Sequence, residues 1–153
     1  MPSYLAAVRE RCFICALRDG VEGYEHHVLA DDPTGFAFLA RYPWVSGHAI
    51  VTPRRHCEDV IGGMTNEDAT RLHHLVRRVG AALQRVLPCE RIYVLSLGSA
   101  QANAHVHWHV VPCPPGLPYE EQQLKLMMNG YLEIPEDELE DLAASSRAAI
   151  EQE

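Results

Sequence analysis

Seven residues, His105-Val106-His107-Trp108-His109-Val110-Val111, alternate imidazole and apolar side chains and constrain the fold more than any other stretch of the chain. A period of two marks a β-strand, because successive side chains project to opposite faces. A strand over 105–111 puts three imidazoles on one face and Val106, Trp108 and Val110 on the other. Successive histidines then stand roughly 6–7 Å apart along the strand, too far for all three to hydrogen-bond one another directly. The spacing suits one central imidazole acting on a substrate, with a neighbour assisting on either side. Unprotonated imidazole is abundant near neutral pH and is a competent nucleophile toward phosphorus. Two other readings stand beside this one: three surface histidines on a half-buried strand, and a His-x-His pair ligating a catalytic metal. The metal reading calls for a carboxylate ligand and an open coordination position, and the motif contains neither Asp nor Glu.

The remaining periodicities place this strand in an α+β fold. A short amphipathic helix is predicted over Ser3–Arg11, leading into Cys12-Phe-Ile-Cys15. Strands are predicted at 27–30, 36–41 and 48–52, the first two joined by the turn Asp31-Asp32-Pro33-Thr34-Gly35 and the third closed by Pro53. Thr65 opens the clearest helix, with Asp68 three residues on as a near capping box. Ala69, Leu72, Leu75, Val76, Val79, Leu83 and Val86 then recur at helical spacing, and Pro88 follows the end. Arg91–Leu97 reads as a strand, Gly98–Ala104 as a loop, and Pro112-Cys-Pro-Pro-Gly116 as the stop after the histidine strand. A last helix is predicted after Pro135, where Glu136, Asp137 and Glu138 suit the positive end of a helix dipole. Strands in hairpin-like runs, rather than alternating with helices, imply a mostly antiparallel sheet.

Charge narrows the partners. A net charge of −8 on 153 residues excludes a sequence-independent nucleic-acid binder, which must neutralise phosphates with Lys and Arg, and adsorption to an anionic membrane. A phosphorylated small molecule stays compatible where backbone N–H groups, histidines or an arginine build a local positive potential. No stretch approaches the ~20 apolar residues of a membrane span, and Met1–Glu10 carries no apolar run of a secretory leader. Five cysteines, an odd number, fit a reducing, cytoplasmic setting better than a disulfide framework. With no internal repeat, residues 1–153 are expected to form a single domain.

The segment 105–111 resembles the His-φ-His-φ-His-φ-φ signature (φ apolar) of the histidine-triad (HIT) superfamily of nucleotide hydrolases and transferases at all seven positions. Phe38-Leu39-Ala40-Arg41-Tyr42-Pro43 and Gly47-His48-Ala49-Ile50-Val51-Thr52-Pro53-Arg54-Arg55-His56 resemble the earlier strand pair of that family. Together these motifs span about 12–112, leaving 113–153 as a C-terminal extension and helix. The resemblance implies a HIT-like fold: a mostly antiparallel five-stranded sheet with one long helix and a C-terminal helix, paired into a homodimer. It also implies that His107 attacks the α-phosphorus of a nucleotide and is transiently nucleotidylated. His109 would hydrogen-bond the phosphoryl oxygens or bridging atom, and His48 would complete the imidazole network. Gln101, Asn103, Ser96, Phe38, Arg41 and Ile14 are the expected substrate-binding positions. Substrates of the class are nucleoside phosphoramidates and dinucleoside polyphosphates. The alternatives are a phosphorylase or sugar-phosphate nucleotidyl transferase and, in another class, a nucleotide-binding module without catalysis. Two positions depart from the family: Ala40 stands where many members carry Asn or Asp against the ribose hydroxyls, and Ala102 where many carry Ser or Thr near the leaving group.

Cys12-x-x-Cys15 has three readings of its own: two core thiols, a redox pair, or half of a structural zinc site, which needs four N or S ligands. A redox pair usually follows a strand and opens a helix, whereas this pair is expected to follow a helix. In the zinc-bearing branch of the superfamily, positions equivalent to His56 and His105 complete the set, so the resemblance implies a Cys12, Cys15, His56, His105 zinc site. Cys57, Cys89 and Cys113 read as ordinary thiols, and His73 and His74 as solvated or packing residues. His26 and His27 belong to no readable constellation.

Overall fold

The structure, a computed structural model, describes residues 10–153. The helix expected over Ser3–Arg11 falls outside the described residues except at its end. In chain order the elements are α1 (Phe13–Arg18), β1 (Val28–Asp31), β2 (Gly35–Leu39), β3 (Ala49–Pro53), α2 (Asn66–Val86), β4 (Arg91–Ser96), β5 (Trp108–Cys113), a 3₁₀ turn (Tyr119–Glu121), α3 (Leu124–Met128) and α4 (Glu136–Ile150). The five strands form one antiparallel sheet in the order β1-β2-β3-β5-β4. This is the α+β, five-stranded HIT-like architecture with a long helix and a C-terminal helix.

Local chemistry sets the boundaries. The Asp32 carboxylate accepts from the Thr34 and Gly35 N–H groups at 2.8 and 2.9 Å, closing the β1–β2 turn. The Thr65 hydroxyl accepts from the Asp68 N–H at 3.1 Å and caps α2. The apolar stripe of that helix, Leu72, Leu75, Val76, Val79 and Leu83, packs on Ala37, Leu39, Ala49, Val51 and Val110 from the facing side of the sheet. Ala143, Ala149 and Ile150 of α4 join this layer, and His73 and His74 point to solvent. The opposite face of the sheet carries two smaller clusters. Phe36, Phe38, Ala40 and Ile50 pack with Phe13 and Ile14 of α1, while Val111 and Cys113 pack with Val45 and Leu126.

The other strand ends fall within two residues of expectation, with Pro53 inside β3 instead of beyond it, and two differences bear on the site. The histidine strand enters the ladder only at Trp108, so His105 and His107 lie just before it, and the strand runs through Pro112 to Cys113 instead of stopping at 111. Side chains take over where the ladder is missing. The Thr52 hydroxyl donates to the Val106 carbonyl at 2.8 Å, and the Ser96 hydroxyl donates to the His107 carbonyl at 2.7 Å. The Val106 N–H donates to the Cys57 carbonyl at 2.8 Å. The second concerns Cys12: the helix expected before it lies outside the described residues except at its end, and Cys12 itself is the N-cap of α1. The Cys-x-x-Cys pair therefore opens a helix, and local context alone does not separate a redox pair from a metal pair.

Candidate active site and metal centre

The four residues Cys12, Cys15, His56 and His105 come together, although up to 93 positions separate them in the chain. Cys12 Sγ lies 3.3 Å from His105 Nδ1, and Cys15 Sγ lies 3.4 Å from His56 Nδ1 and 3.5 Å from His105 Nδ1. All four donor atoms fall within 4.8 Å of one another. A tetrahedral zinc with its usual Zn–S and Zn–N lengths sets an S···N edge of ~3.5 Å, which these distances match. The imidazoles are also oriented for ligation. His105 Nε2 is 2.9 Å from the Pro53 carbonyl and His56 Nε2 is 3.0 Å from the Glu58 carboxylate. Each Nε2–H thus donates outward, leaving both Nδ1 lone pairs aimed at the sulfurs. Burial, then the neighbouring Cys12, pushes the Cys15 thiol up to about 11. A cation in the cluster reverses that preference by favouring the thiolate. The donor set fits a metal, and specifically the N₂S₂ set that zinc takes.

The second constellation starts two residues on. His107 is 3% exposed, and its Nδ1 is 2.7 Å from the His105 carbonyl. A carbonyl only accepts, so Nδ1 carries the proton and Nε2 carries the lone pair. The His107 ring lies 4.9 Å from that of His109. His109 Nδ1 is 2.9 Å from His48 Nε2. The direction of that bond follows from the next one: the Trp44 backbone N–H donates to His48 Nδ1 at 3.2 Å. A neutral His48 must then carry its proton on Nε2 and donate it to His109 Nδ1, so His109 presents Nε2–H on its far side.

These imidazoles are held neutral. Burial pushes both His48 and His109 down to about 3, and nearby histidine charge adds to the effect. Burial also lowers His107, partly offset by its bond to the His105 carbonyl. Trp44 supplies much of the cover, stacked on His48 at 4.3 Å and tilted against His109 at 4.7 Å. His107 thus keeps one nitrogen lone pair and His109 one N–H, on rings 4.9 Å apart in a site where protonated imidazole is disfavoured.

A cleft of about 120 Å³ opens beside His48 and His109, with Trp44, Asn103, Arg41 and Tyr131 among its walls. Ala40 lies on its border with a neighbouring pocket, at the position where the family commonly carries Asn or Asp. Of the other expected substrate contacts, Gln101 lies beside the metal cluster, in a separate cleft that Asn103 also reaches. Ser96 is turned toward the His107 carbonyl. Phe38 and Ile14 are fully buried in the cluster beneath α1. The 98–104 loop is tightly closed: Gly98 has φ +129°, and a Cβ there would collide with the Asn103 carbonyl.

The HIT domain pattern matches residues 22–115, well over half of the chain. The chain belongs to the HIT family. An uncharacterized HIT-like protein of Saccharolobus solfataricus is 29% identical to this HIT protein over 105 residues, covering 66% of this chain and 73% of its own. A hypothetical histidine triad nucleotide-binding protein from Sulfolobus tokodaii superposes with a TM-score of 0.73 at 21% identity, covering 93% of both chains. A Zn-bound histidine triad family protein from Mycobacterium smegmatis superposes with a TM-score of 0.71 at 20% identity, covering 94% of this chain and 96% of that one. At such identities the two structures establish a shared fold.

Three residues around the HIT triad carry no signal in the sequence. Trp44 reads as part of a turn, yet its backbone and ring both hold His48. Thr52 ends an apolar strand, and its hydroxyl braces the triad segment. His26 sits against Phe38 at 4.9 Å on the border of the cleft, with burial pushing it down to about 4. Its neighbour His27 pairs with Glu136 of α4 at 2.8 Å. The partnerships of Thr52, His26 and His27 are made across the fold and that of Trp44 with His48 spans a turn of four residues; none leaves a periodic trace.

Proposed function

We propose that this HIT protein is a nucleotide hydrolase or nucleotidyl transferase working through a covalent nucleotidyl-histidine intermediate on a nucleoside phosphoramidate or dinucleoside polyphosphate. The observation that carries the reading is the 2.7 Å bond from His107 Nδ1–H to the His105 carbonyl, which leaves Nε2 as a buried, neutral lone pair. In the first step Nε2 forms a bond to the α-phosphorus while the bond from phosphorus to the leaving group breaks. The imidazole becomes cationic, and the His105 carbonyl stabilises the proton on Nδ1. His109 Nε2–H donates to a phosphoryl oxygen or to the bridging atom, where charge develops and a fixed donor is most effective. His48 and the Trp44 N–H hold His109 in the tautomer that can donate. In the second step water, or another acceptor, attacks phosphorus, the P–Nε2 bond breaks, and the nucleophile's proton passes to solvent.

Around these groups, Asn103 and Arg41 reach the substrate from the cleft walls and Gln101 from the loop. Ser96, Phe38 and Ile14 act from behind, by holding the His107 backbone and the floor beneath the nucleoside. Cys12, Cys15, His56 and His105 hold a structural zinc, which fixes the N-terminal segment to the triad segment and takes no part in bond making. Residues 1–153 act as one cytoplasmic domain that pairs as a homodimer; the uncovered edge strand β4, with Val94 and Leu97 about half exposed, supports pairing. Among the described residues, no helix is long and apolar enough to cross a membrane.

The test is direct. Incubation with a panel of α-³²P-labelled nucleotides and rapid denaturation should trap a labelled protein, and His107→Ala should abolish both the adduct and turnover while retaining the fold. Loss of an activated nucleophile costs several orders of magnitude in kcat. Retention of more than a few per cent of wild-type kcat refutes the covalent route.

A further inference from the structure

One wall of the triad cleft comes from outside the HIT domain. Tyr131 lies beyond residues 22–115, in the extension that follows β5. Three anchors deliver it. Leu126 of α3 is buried against Val45, Val111 and Cys113. Gly130, at φ +88°, makes a left-handed turn that other residues enter reluctantly. Leu132 N–H then donates to the Pro43 carbonyl at 2.8 Å, pinning the segment beside the Tyr42-Pro43-Trp44 turn. The result is a pair of tilted rings, Tyr42 and Tyr131, with centroids 5.4 Å apart at the mouth of the cleft.

Packing does not account for this placement. Tyr131 is 59% exposed, so its ring contributes little to the core, yet the chain on both sides of it is fixed. Across the cleft Trp44 lies flat on His48, and Ala40 and Ile50 add apolar surface. The exposed side chains of the cleft are Tyr42, Tyr131, Arg41 and Asn103, and its buried ones include His48 and His109 with Ala40 and Ile50. Ring faces outside and imidazoles inside fit a ligand with a planar conjugated ring at one end and a phosphoryl group at the other. A tyrosine ring is well suited to the first, because stacking on a heteroaromatic ring tolerates changes in ring substituents.

Resting on the function proposed above, we propose that Tyr131, together with Tyr42, is a specificity-determining residue that stacks on a planar heteroaromatic or aromatic ring of the substrate. Two parts of such a substrate carry a ring: the base of the attacked nucleotide, and an aromatic leaving group. Adenosine 5′-phosphoramidate and its N-phenyl derivative separate them, since only the second has a ring on the leaving side.

The experiment measures kcat and KM on both compounds for wild-type protein, Tyr131→Ala and Tyr131→Phe. Removing a stacking ring from a half-open site should cost roughly tenfold in kcat/KM, mainly through KM. Tyr131→Phe should stay within about twofold of wild type, and the melting temperatures should agree. An equal loss on both compounds assigns the ring to the base, and a loss confined to the N-phenyl compound assigns it to the leaving group. Wild-type kcat/KM for Tyr131→Ala on both, with His107-dependent turnover intact, overturns the inference alone. A loss that falls in kcat and comes with a lowered melting temperature also overturns it, as that is a structural role. No turnover of either compound, or of a dinucleoside polyphosphate, by wild-type protein overturns the function and this inference with it.

Discussion

Thr52→Val isolates how the triad segment is held. The Thr52 side chain is fully buried and its hydroxyl is the donor to the Val106 carbonyl, at 2.8 Å, just where β5 has left the ladder. Valine has nearly the same shape, so the change removes a donor without opening a cavity. It leaves a buried carbonyl with its partner gone, which typically costs ~1–3 kcal/mol. Added apolar contact offsets a part of this, and a net loss of about 1.5 kcal/mol is expected. For a chain of this size that corresponds to a fall of roughly 3–6 °C in Tm. The second consequence is local. Val106 directly precedes His107, the proposed nucleophile, so relaxation of its carbonyl displaces that imidazole, and kcat should fall more than KM rises. Thr52→Ser keeps the hydroxyl and should recover most of both. The assay is a thermal melt and steady-state kinetics on the three proteins at equal metal content. If Thr52→Val melts within 1 °C of wild type, the hydroxyl does not support the segment and this reasoning is wrong.

Two further outcomes follow from the metal and from the buried imidazoles. Protein purified without added metal should contain one zinc per chain, and chelation, Cys12→Ser or His56→Ala should remove it and lower Tm, because metal binding contributes directly to folding free energy; elemental analysis showing no zinc, or an unchanged melt, refutes the site. His48 and His109 are each depressed to about 3 in the folded state, against ~6.5 in an unfolded chain. The unfolded state therefore takes up protons first as pH falls, so their contribution to stability is full above pH ~6.5 and is lost on the way down toward 3. The loss should reach roughly 2 kcal/mol per imidazole between pH 7.5 and 5. Urea unfolding across that range measures it, and a flat profile, or one that His48→Asn leaves unaltered, contradicts the assignment.

What the sequence discloses here is what periodicity and local chemistry encode. The capped helix at Asn66–Val86, the Asp32 turn and the acidic start of α4 each depend on neighbours within a few residues, and all are readable in advance. The His-x-His-x-His alternation gives the right grouping but misplaces the strand start, because Thr52 and Ser96 replace the ladder at Val106 and His107 and neither shows a pattern. The convergence of Cys12, Cys15, His56 and His105 rests on resemblance to a family, since spacing cannot say which of nine histidines meets a Cys-x-x-Cys pair. The CxxC context does not decide between redox and metal chemistry, because a helix also begins at the motif itself. Tyr131 stays hidden because its partner Tyr42 is brought near only by the C-terminal extension, and Trp44 because its cover of His109 is made across the sheet.

The strand order β1-β2-β3-β5-β4 bears on when the site comes into being. Strand β4 meets the sheet only through β5, which is later in the chain and inserts beside β3 across more than fifty intervening residues. Closing so long a loop is slow, and its contacts are won late. The Ser96 brace lies within the β4–β5 hairpin, but the His48–His109 bond, the Thr52 brace and the junction of His105 with the two cysteines all span that closure. None of them exists in a chain whose sheet stops at β3. A nascent or refolding chain therefore gains the His48–His109 pair and the Thr52 brace together, at the moment β5 reaches β3.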